Sequence, residues 1–422
     1  METLIQGVTI LPGEGSFIPQ GFIHLRGDRI AGIGAGDGPV PGSRGGLEIR
    51  NGAGLVALPG LINAHTHVSL SRYRGIADNV RLFDFLRETR KRWSRATFED
   101  TFQSALEGCR AAVRSGTTCL VDSHAASPRP AAKAARAVGV RLIGAAAARS
   151  LWFGEPAEDT FDVCLRETEE VADEFAGSDL LYVPSLSAHS PYNCSGDQIR
   201  RIKEAARRRG WTFAIHLAEC REEVDLIHRW HGKTPAAYLA SLDALDEQSL
   251  LAHCVLFTED DMRLVASHGA HVMHCPKSNA KLGNGAAPVP EYLARGMSVG
   301  LGTDSMVSNN NLDMLEEMRF CALIHRTVRG DPAAITAGQA FAMATIGGAR
   351  ALGLEAELGS LRPGKRADVV LVSLTPPTGV SEETVLSELV FHVTSDAVRT
   401  VIVNGRTILD DGRVVGTAPE PA

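Results

Sequence analysis

Between about residue 58 and residue 356 the chain alternates short apolar runs with longer amphipathic stretches. The apolar runs are 62–67, 118–122, 141–146, 181–187, 212–216, 249–253, 271–274 and 298–302. Each has the length of a strand, and a helical pattern separates each from the next. One helix is marked at both ends: Thr97-Phe-Glu-Asp reads as an N-cap box, the apolar pattern runs through Val113, and Gly116 closes the C-terminus. An Ala-rich helix is expected near Ala131–Val138. So many strand–helix units in one segment argue for a closed (β/α)8 TIM-type barrel rather than an open sheet.

The two ends have a different texture. Leu4–Leu11, Gly21–Leu25 and Arg29–Ile33 read as strands separated by Gly- and Pro-rich pieces, with a loop expected over Gly34–Gly46. After residue 357 strands return at Ala367–Val372, Val398–Val403 and Gly412–Val415, and Asn404-Gly405 is a hairpin-turn signal. The expected organisation is a barrel over 58–356, with 1–57 and 357–422 joining in one small β-sandwich.

Composition narrows the function classes. The 422 residues are 44% hydrophobic and 22% charged, ordinary values for a globular protein. The net charge of −7 argues against a general binder of nucleic acid or anionic membrane. The dense basic run Arg87-Glu-Thr-Arg-Lys-Arg-Trp93 reads as a solvated helix face. No apolar run approaches the ~20 residues of a membrane span, and no signal peptide is evident after Met1. Eight cysteines are scattered without a Cys-x-x-Cys pair, which reads as reduced thiols and a cytoplasmic setting.

The notable polar residues all fall at one kind of place, the carboxyl end of a strand. His65 and His67 close the first strand, and side chains at i and i+2 of a strand share a side. His189 follows the fourth, His216 ends the fifth with Glu219 three residues on, His253 ends the sixth, and Asp304 follows the eighth. In a barrel these ends form one rim, where chemistry sits. Three imidazoles and a carboxylate suit zinc or iron(II) with a water completing the shell. Such an ion brings water towards ionisation at neutral pH. Glu219 is the candidate acid and base, His253 a hydrogen-bonding partner of the attacking water or the developing anion, and Asp304 a ligand that also accepts a proton. His228, His231, His268 and His325 are expected in solvent, His124 and His274 are weaker candidates for the pocket wall, and Ser278 and Asn279 are expected to shape a loop.

Longer motifs carry a resemblance over nearly the whole chain. They are Pro59-Gly-Leu-Ile-Asn-Ala-His-Thr-His67, Arg74-Gly-Ile-Ala-Asp78, His189-Ser-Pro-Tyr-Asn-Cys194 and Ile215-His-Leu-Ala-Glu219. Further on come Ala252-His-Cys-Val255, Cys275-Pro-Lys-Ser-Asn-Ala-Lys-Leu-Gly-Asn-Gly285, Gly302-Thr-Asp304 with Ser308-Asn-Asn310, and Gly359-Ser-Leu-Arg-Pro-Gly-Lys-Arg-Ala-Asp368. The chain resembles the amidohydrolase superfamily in its cytosine-deaminase-like branch, and is most similar there to S-adenosylhomocysteine/methylthioadenosine deaminases and chlorotriazine hydrolases. The resemblance implies one divalent metal ion per chain on His65, His67, His216 and Asp304, zinc before iron(II), with Glu219 and His253 as the catalytic pair. Two-metal members usually carry a bridging lysine on strand four, and Leu180–Ser187 holds none.

The substrate loops depart from the pattern. A Trp usual after strand one is replaced by Phe85, and no acid stands in Lys91–Arg95, where a ribose-gripping Glu is expected. An Arg expected after strand three falls at an alanine of Gly144–Ala148, with Arg149 nearby, while His189 is retained. His189, Phe85, Arg149 and Trp93 are therefore the expected substrate contacts, with Arg72, Arg90, Arg92 and Trp152 as further pocket candidates. The function implied is an aminohydrolase that replaces an exocyclic amine on an N-heteroaromatic ring, purine-like or nucleoside-derived. A chlorotriazine-type hydrolase is the alternative, a cyclic-amide hydrolase stands behind it, and a barrel without catalysis is the alternative of another class. The partner is a small heterocyclic molecule, and a homodimer is the candidate assembly.

Overall fold

Eight parallel strands follow one another around a ring in the computed structural model, which describes residues 2–38, 47–123, 127–175, 177, 179–374, 376 and 379–415. The strands are Leu61–Thr66, Thr117–Ser123, Arg141–Ala148, Tyr182–Ala188, Thr212–Leu217, Ser249–His253, His271–His274 and Val299–Leu301. Each pairs with the next in chain order. The ring closes where Thr66 bridges Asp304 in parallel register, the Asp304 N–H donating to the His65 carbonyl at 2.9 Å. Gly302 permits this approach, because a Cβ there would stand 2.8 Å from the His65 backbone N. The strands are buried on both faces, which is why they read as apolar runs rather than alternations. This is the (β/α)8 barrel expected from the alternation.

Helices cover the outside. The marked one spans Phe98–Arg114, and Thr97 and Asp100 complete the capping box in both directions. The chain leaves that helix through Gly116 at φ +89°, a left-handed turn glycine adopts without strain. The Ala-rich helix runs over Arg129–Val138.

Both ends of the chain enter one nine-stranded sheet. Its order is Arg413–Val414, Arg406–Asp410, Val398–Val403, Val369–Ser373, Leu55–Pro59, Glu2–Ile10, Ile18–Arg26 and Arg29–Ala35. Leu47–Asn51 lies beside residues 2–6 of Glu2–Ile10, and Leu55–Pro59 beside residues 9 and 10. Ile5, Ile23, Leu25, Val369, Leu371 and Ile402 share one core, and the edge at Arg29–Ala35 returns to the approach to Val369–Ser373, where the Ala367 N–H donates to the Asp28 carbonyl at 2.8 Å and the Ile30 N–H to the Lys365 carbonyl at 2.9 Å. The sheet therefore curls over on itself, and the expected sandwich takes the form of one continuous sheet. Asn404 and Gly405, at φ +49° and +71°, make the tight turn their sequence signals. The loop expected from Gly34 starts later, since Gly34 still pairs within Arg29–Ala35, and residues 39–46 lie outside the described ones.

The chain passes from the curled sheet into the barrel at Gly60, where a Cβ would meet the Thr118 hydroxyl at 2.0 Å. Arg141, fully buried, ties the two parts together through Asp368 at 3.2 Å and Asn404 at 2.9 Å. All eight cysteines are free and buried. Among the described residues no helix is long and apolar enough to cross a membrane.

A buried charge anchors the approach to the sixth strand. Lys203, 1% exposed, donates to Asp246 and, at 2.9 Å, to the Ser249 hydroxyl. Burial opposes the charge on Asp246, but hydrogen bonds from Lys203 and Arg207 hold its pKa down at about 2. Its contribution to stability is complete above the unfolded carboxyl pKa of about 4 and is lost as pH falls towards 2. Asp246→Asn should cost roughly 3 kcal/mol at pH 7, because a buried ammonium loses its partner. Urea denaturation across pH should show that gap closing between pH 4 and pH 2; a constant gap contradicts the assignment.

Candidate functional site

The barrel brings four of the expected residues to one point. His65 lies within the first strand, and His67 stands one residue beyond it, where the chain turns into a single 3-10 segment, Val68–Tyr73. His216 comes from the fifth strand, and Asp304 from the turn after the eighth. Ligating atoms of His65, His67 and His216 all lie within 4.8 Å of one another. His67 Nε2 is 3.3 Å from His216 Nε2 and 3.3 Å from Asp304 Oδ1. His65 Nε2 is 3.7 Å from the same oxygen. A tetrahedral ion with bonds of ~2.0–2.1 Å separates its ligand atoms by about 3.3 Å, which the two separations from His67 Nε2 match. His65 Nε2 is buried and has no hydrogen-bond partner, as a nitrogen kept for a ligand should be.

The surroundings prepare these groups as ligands. Burial, reinforced by neighbouring imidazoles, pushes His65 well below its ordinary pKa. Burial likewise brings His67 and His216 down to about 4, so all three are neutral at physiological pH. His216 Nδ1 donates to the His189 carbonyl at 2.6 Å, which leaves Nε2 as the lone-pair nitrogen. Asp304 is held well below the usual carboxylate range, against the cost of its burial, by the imidazoles of His67, His253 and His65 and by Ser278. Ser278 and Ser308 donate to Asp304 Oδ2 at 2.6 and 2.7 Å and leave Oδ1 turned to the histidines.

Two further groups face the same point. Glu219 Oε2 stands 3.6 Å from His253 Nε2, and both side chains are almost fully buried. Burial first, then the charges of Asp304 and Glu223, push the Glu219 pKa well above the ordinary carboxyl value. His253 Nδ1 donates to Asn279 Oδ1 at 2.9 Å, and Nε2 is left as an acceptor towards the cavity. Ala218, His253, Cys254 and Asp304 adopt left-handed backbones, at φ +49°, +73°, +49° and +60°. Non-glycine residues adopt such conformations at a cost of order 1–3 kcal/mol, and they cluster at sites where side chains must be aimed.

A cavity of about 640 Å³ of empty space, its mouth included, opens over this cluster. Leu82, Phe85, Leu86 and Thr89 form one wall from a single helix, Leu82–Trp93. Trp93 at the end of the same helix, with Arg149, Trp152, His189 and Tyr192, completes the lining. The four expected substrate contacts, His189, Phe85, Arg149 and Trp93, therefore all line it, and Tyr192 is an addition whose aromatic ring inside His189-Ser-Pro-Tyr was the available signal. Arg90 stacks over Trp152 at 4.1 Å and flanks the entrance. Arg72 and Arg92 do not belong to the pocket: Arg72 pairs with Asp100 at 3.4 Å, and Arg92 is exposed. Helix Leu82–Trp93 is thus solvated on only one face, since its other face is the cavity wall.

The remaining expectations divide. His228, His231 and His268 are exposed. His325 is not: it is 2% exposed and bonds His274 Nε2 to Nε2 at 3.1 Å, because the helix Met314–Arg329 turns it onto the barrel wall. His274 consequently faces that helix and not the cavity. With Cys321 these two form a second close cluster of ligand-type side chains, outside the cavity. His124 lies outside the described residues. Ser278 and Asn279 do more than shape a loop, since one holds Asp304 and the other His253.

The chain belongs to the amidohydrolase family, whose model matches residues 56–408. It is 36% identical over 423 residues, covering 99% of this chain and 95% of the relative, to a 5-methylthioadenosine/S-adenosylhomocysteine deaminase of Pelotomaculum thermopropionicum. An adenosine deaminase from Xanthomonas campestris with bound zinc superposes with a TM-score of 0.88 at 26% identity, covering 98% of this chain and 94% of that one. The zinc complex of atrazine chlorohydrolase from Arthrobacter aurescens TC1 shares the fold with a TM-score of 0.89 at 23% identity, over 98% and 96% of the two chains. The protein is a hydrolase of C–N bonds with a metal site. Replacing His65 or His216 with alanine should lower bound divalent metal and abolish hydrolysis; elemental analysis showing undiminished metal in both variants contradicts the site.

Proposed function

We propose that the protein is a mononuclear metal-dependent aminohydrolase acting on a purine-like ring. The observation that carries this reading is the convergence of His65, His67, His216 and Asp304 Oδ1 on one point, with Glu219 and His253 facing it at the floor of the same cavity. Those four groups would hold a single zinc ion, which would acidify a water towards neutral pH and supply positive charge at the site. The strand-four segment Tyr182–Ala188 contains no lysine to bridge a second ion.

The chain's own groups account for the proton traffic. Glu219, kept neutral by burial, has a proton to give to a ring nitrogen as water adds to the amine-bearing carbon. His253 Nε2 accepts a hydrogen bond from that water, and Asp304, kept ionised, accepts its proton. Asp304 then passes the water's proton to the amine, which leaves as ammonia as the C–N bond breaks; the hydroxyl proton of the adduct returns to Glu219, and the ring carbon keeps the oxygen as a carbonyl.

Recognition rests on the wall. Relatives named as methylthioadenosine/S-adenosylhomocysteine deaminases support an adenine-type ring. Among the lining residues, however, Glu219 and Asp304 are the carboxylates, and both serve the chemistry. Among the described lining residues none is left to grip sugar hydroxyls. Arg149 lines the cavity with its Nε buried and unpartnered, its guanidinium stacked on Trp93 at 5.4 Å and bonded to no carboxylate among the described residues. A cation so placed favours a substrate with an anionic or strongly accepting substituent. An amino-substituted heterocycle or modified nucleoside of that kind is therefore preferred over plain adenosine or methylthioadenosine.

Glu219→Gln should retain its metal and lose at least ~10²-fold in turnover, the scale of general acid–base catalysis. Near-normal rates in that variant remove Glu219 from the mechanism. An ammonia-release screen over adenosine, methylthioadenosine, S-adenosylhomocysteine, their carboxylated analogues, aminopyrimidines and triazines should rank an anionic adenine derivative highest, and Arg149→Ala should erase that preference. A kcat/KM of about 10⁵ M⁻¹s⁻¹ or more on plain adenosine contradicts the recognition argument.

A further inference from the structure

The turn that carries Glu219 is held from behind by a second carboxylate. Glu223 lies four residues on, in the first turn of the helix Arg221–His231, and is fully buried. Its Oε1 accepts the Ala218 N–H at 2.8 Å, and its Oε2 accepts the Glu219 N–H at 2.9 Å. No lysine, arginine or histidine pairs with it among the described residues. A buried carboxylate without a cation is expensive, and its burial raises the Glu223 pKa to about 7 against the effect of those two hydrogen bonds. Backbone groups at such a turn could be satisfied far more cheaply by a serine or an asparagine cap.

What the expensive arrangement achieves is direction. Ala218 is bent to φ +49°, a backbone that alanine resists. With both N–H groups of residues 218 and 219 fixed on one rigid carboxylate, the Glu219 side chain has one exit, into the cavity. There it meets His253 and, at 3.3 Å, the Asn284 amide. We propose that Glu223 is a positioning residue for the reaction, clamping the 218–219 backbone so that the Glu219 carboxyl is aimed at the ring nitrogen of the substrate. The inference rests on the reading of Glu219 as proton donor.

The test uses the full-length, metal-loaded enzyme carrying Glu223→Gln, Glu223→Asp or Glu219→Gln. The amide keeps the shape of the side chain but turns a donor towards one of the two N–H groups. The aspartate keeps the charge but is one methylene short of spanning both. Each variant is assayed well below its melting temperature, and kcat, KM and bound metal are read together. In Glu223→Gln, kcat should fall ~10–100-fold, the usual cost of losing an orienting partner behind a catalytic group. KM should stay within about threefold and metal content should not change; Glu223→Asp should fall between that variant and wild type. In a Glu219→Gln background the same Glu223→Gln substitution should cost nothing further, since the clamp acts through the side chain already disabled. Wild-type kcat in folded Glu223→Gln overturns the proposal, as does an equal further loss in the double variant, or failure of both Glu223 variants to fold. If Glu219→Gln is itself near wild type, the proton-donor reading is what fails.

Discussion

The seam that closes the barrel governs the rest of the molecule. The first and eighth strands meet through the Thr66–Asp304 bridge and the hydrogen bond from Asp304 N–H to the His65 carbonyl. The same few residues supply two of the histidines and the carboxylate of the candidate metal site. Closure and ligand geometry are thus one constraint: a shift in the seam would part Asp304 Oδ1 from His65 and His67 together. Gly302 is the residue that makes the seam possible, because its missing side chain lets the eighth strand lie against the His65 backbone.

Around the seam, groups that never reach the cavity hold those that do. Asp122 accepts the Val68 N–H at 2.6 Å and steadies the turn after His67. Glu317 accepts the Lys277 N–H at 3.0 Å and an Asn309 amide proton at 2.9 Å, next to the serines that hold Asp304. With Glu223 these make three buried carboxylates, each raised by burial to about 7 and each bonded to the backbone of a rim loop. Charged acceptors make stronger bonds to N–H groups than neutral ones. The pattern exchanges some folding stability for fixed loops, the usual balance at sites that must be preorganised.

Much of this was readable in the amino-acid order, for a physical reason. Buried parallel strands are uniformly apolar, so a polar residue at a strand's end stands out, and His65, His216, His253 and Asp304 were found that way. His189, after the fourth strand, stands out in the same way; the family motifs add that it is retained and that no lysine precedes it. What escaped was long-range. Ser278 and Ser308 meet on Asp304 from residues 26 and 4 positions away. Nothing local distinguishes such a serine from a loop serine. His325 was misplaced in solvent because a helix in the outer layer buries one face against the barrel, and its partner, His274, lies 51 residues earlier. The curl of the outer sheet was likewise invisible, since it depends on Glu2–Ile10 serving two neighbours along its length.

The proposed single ion is shared by the seam and the fifth strand. Anomalous diffraction from crystals of the zinc-loaded protein, recorded on both sides of the zinc edge, tests it directly. One peak should appear in the cavity, bounded by the three imidazoles of His65, His67 and His216 and by Asp304 Oδ1. A second ion bridged to the first, or a peak that excludes Asp304, would contradict the account.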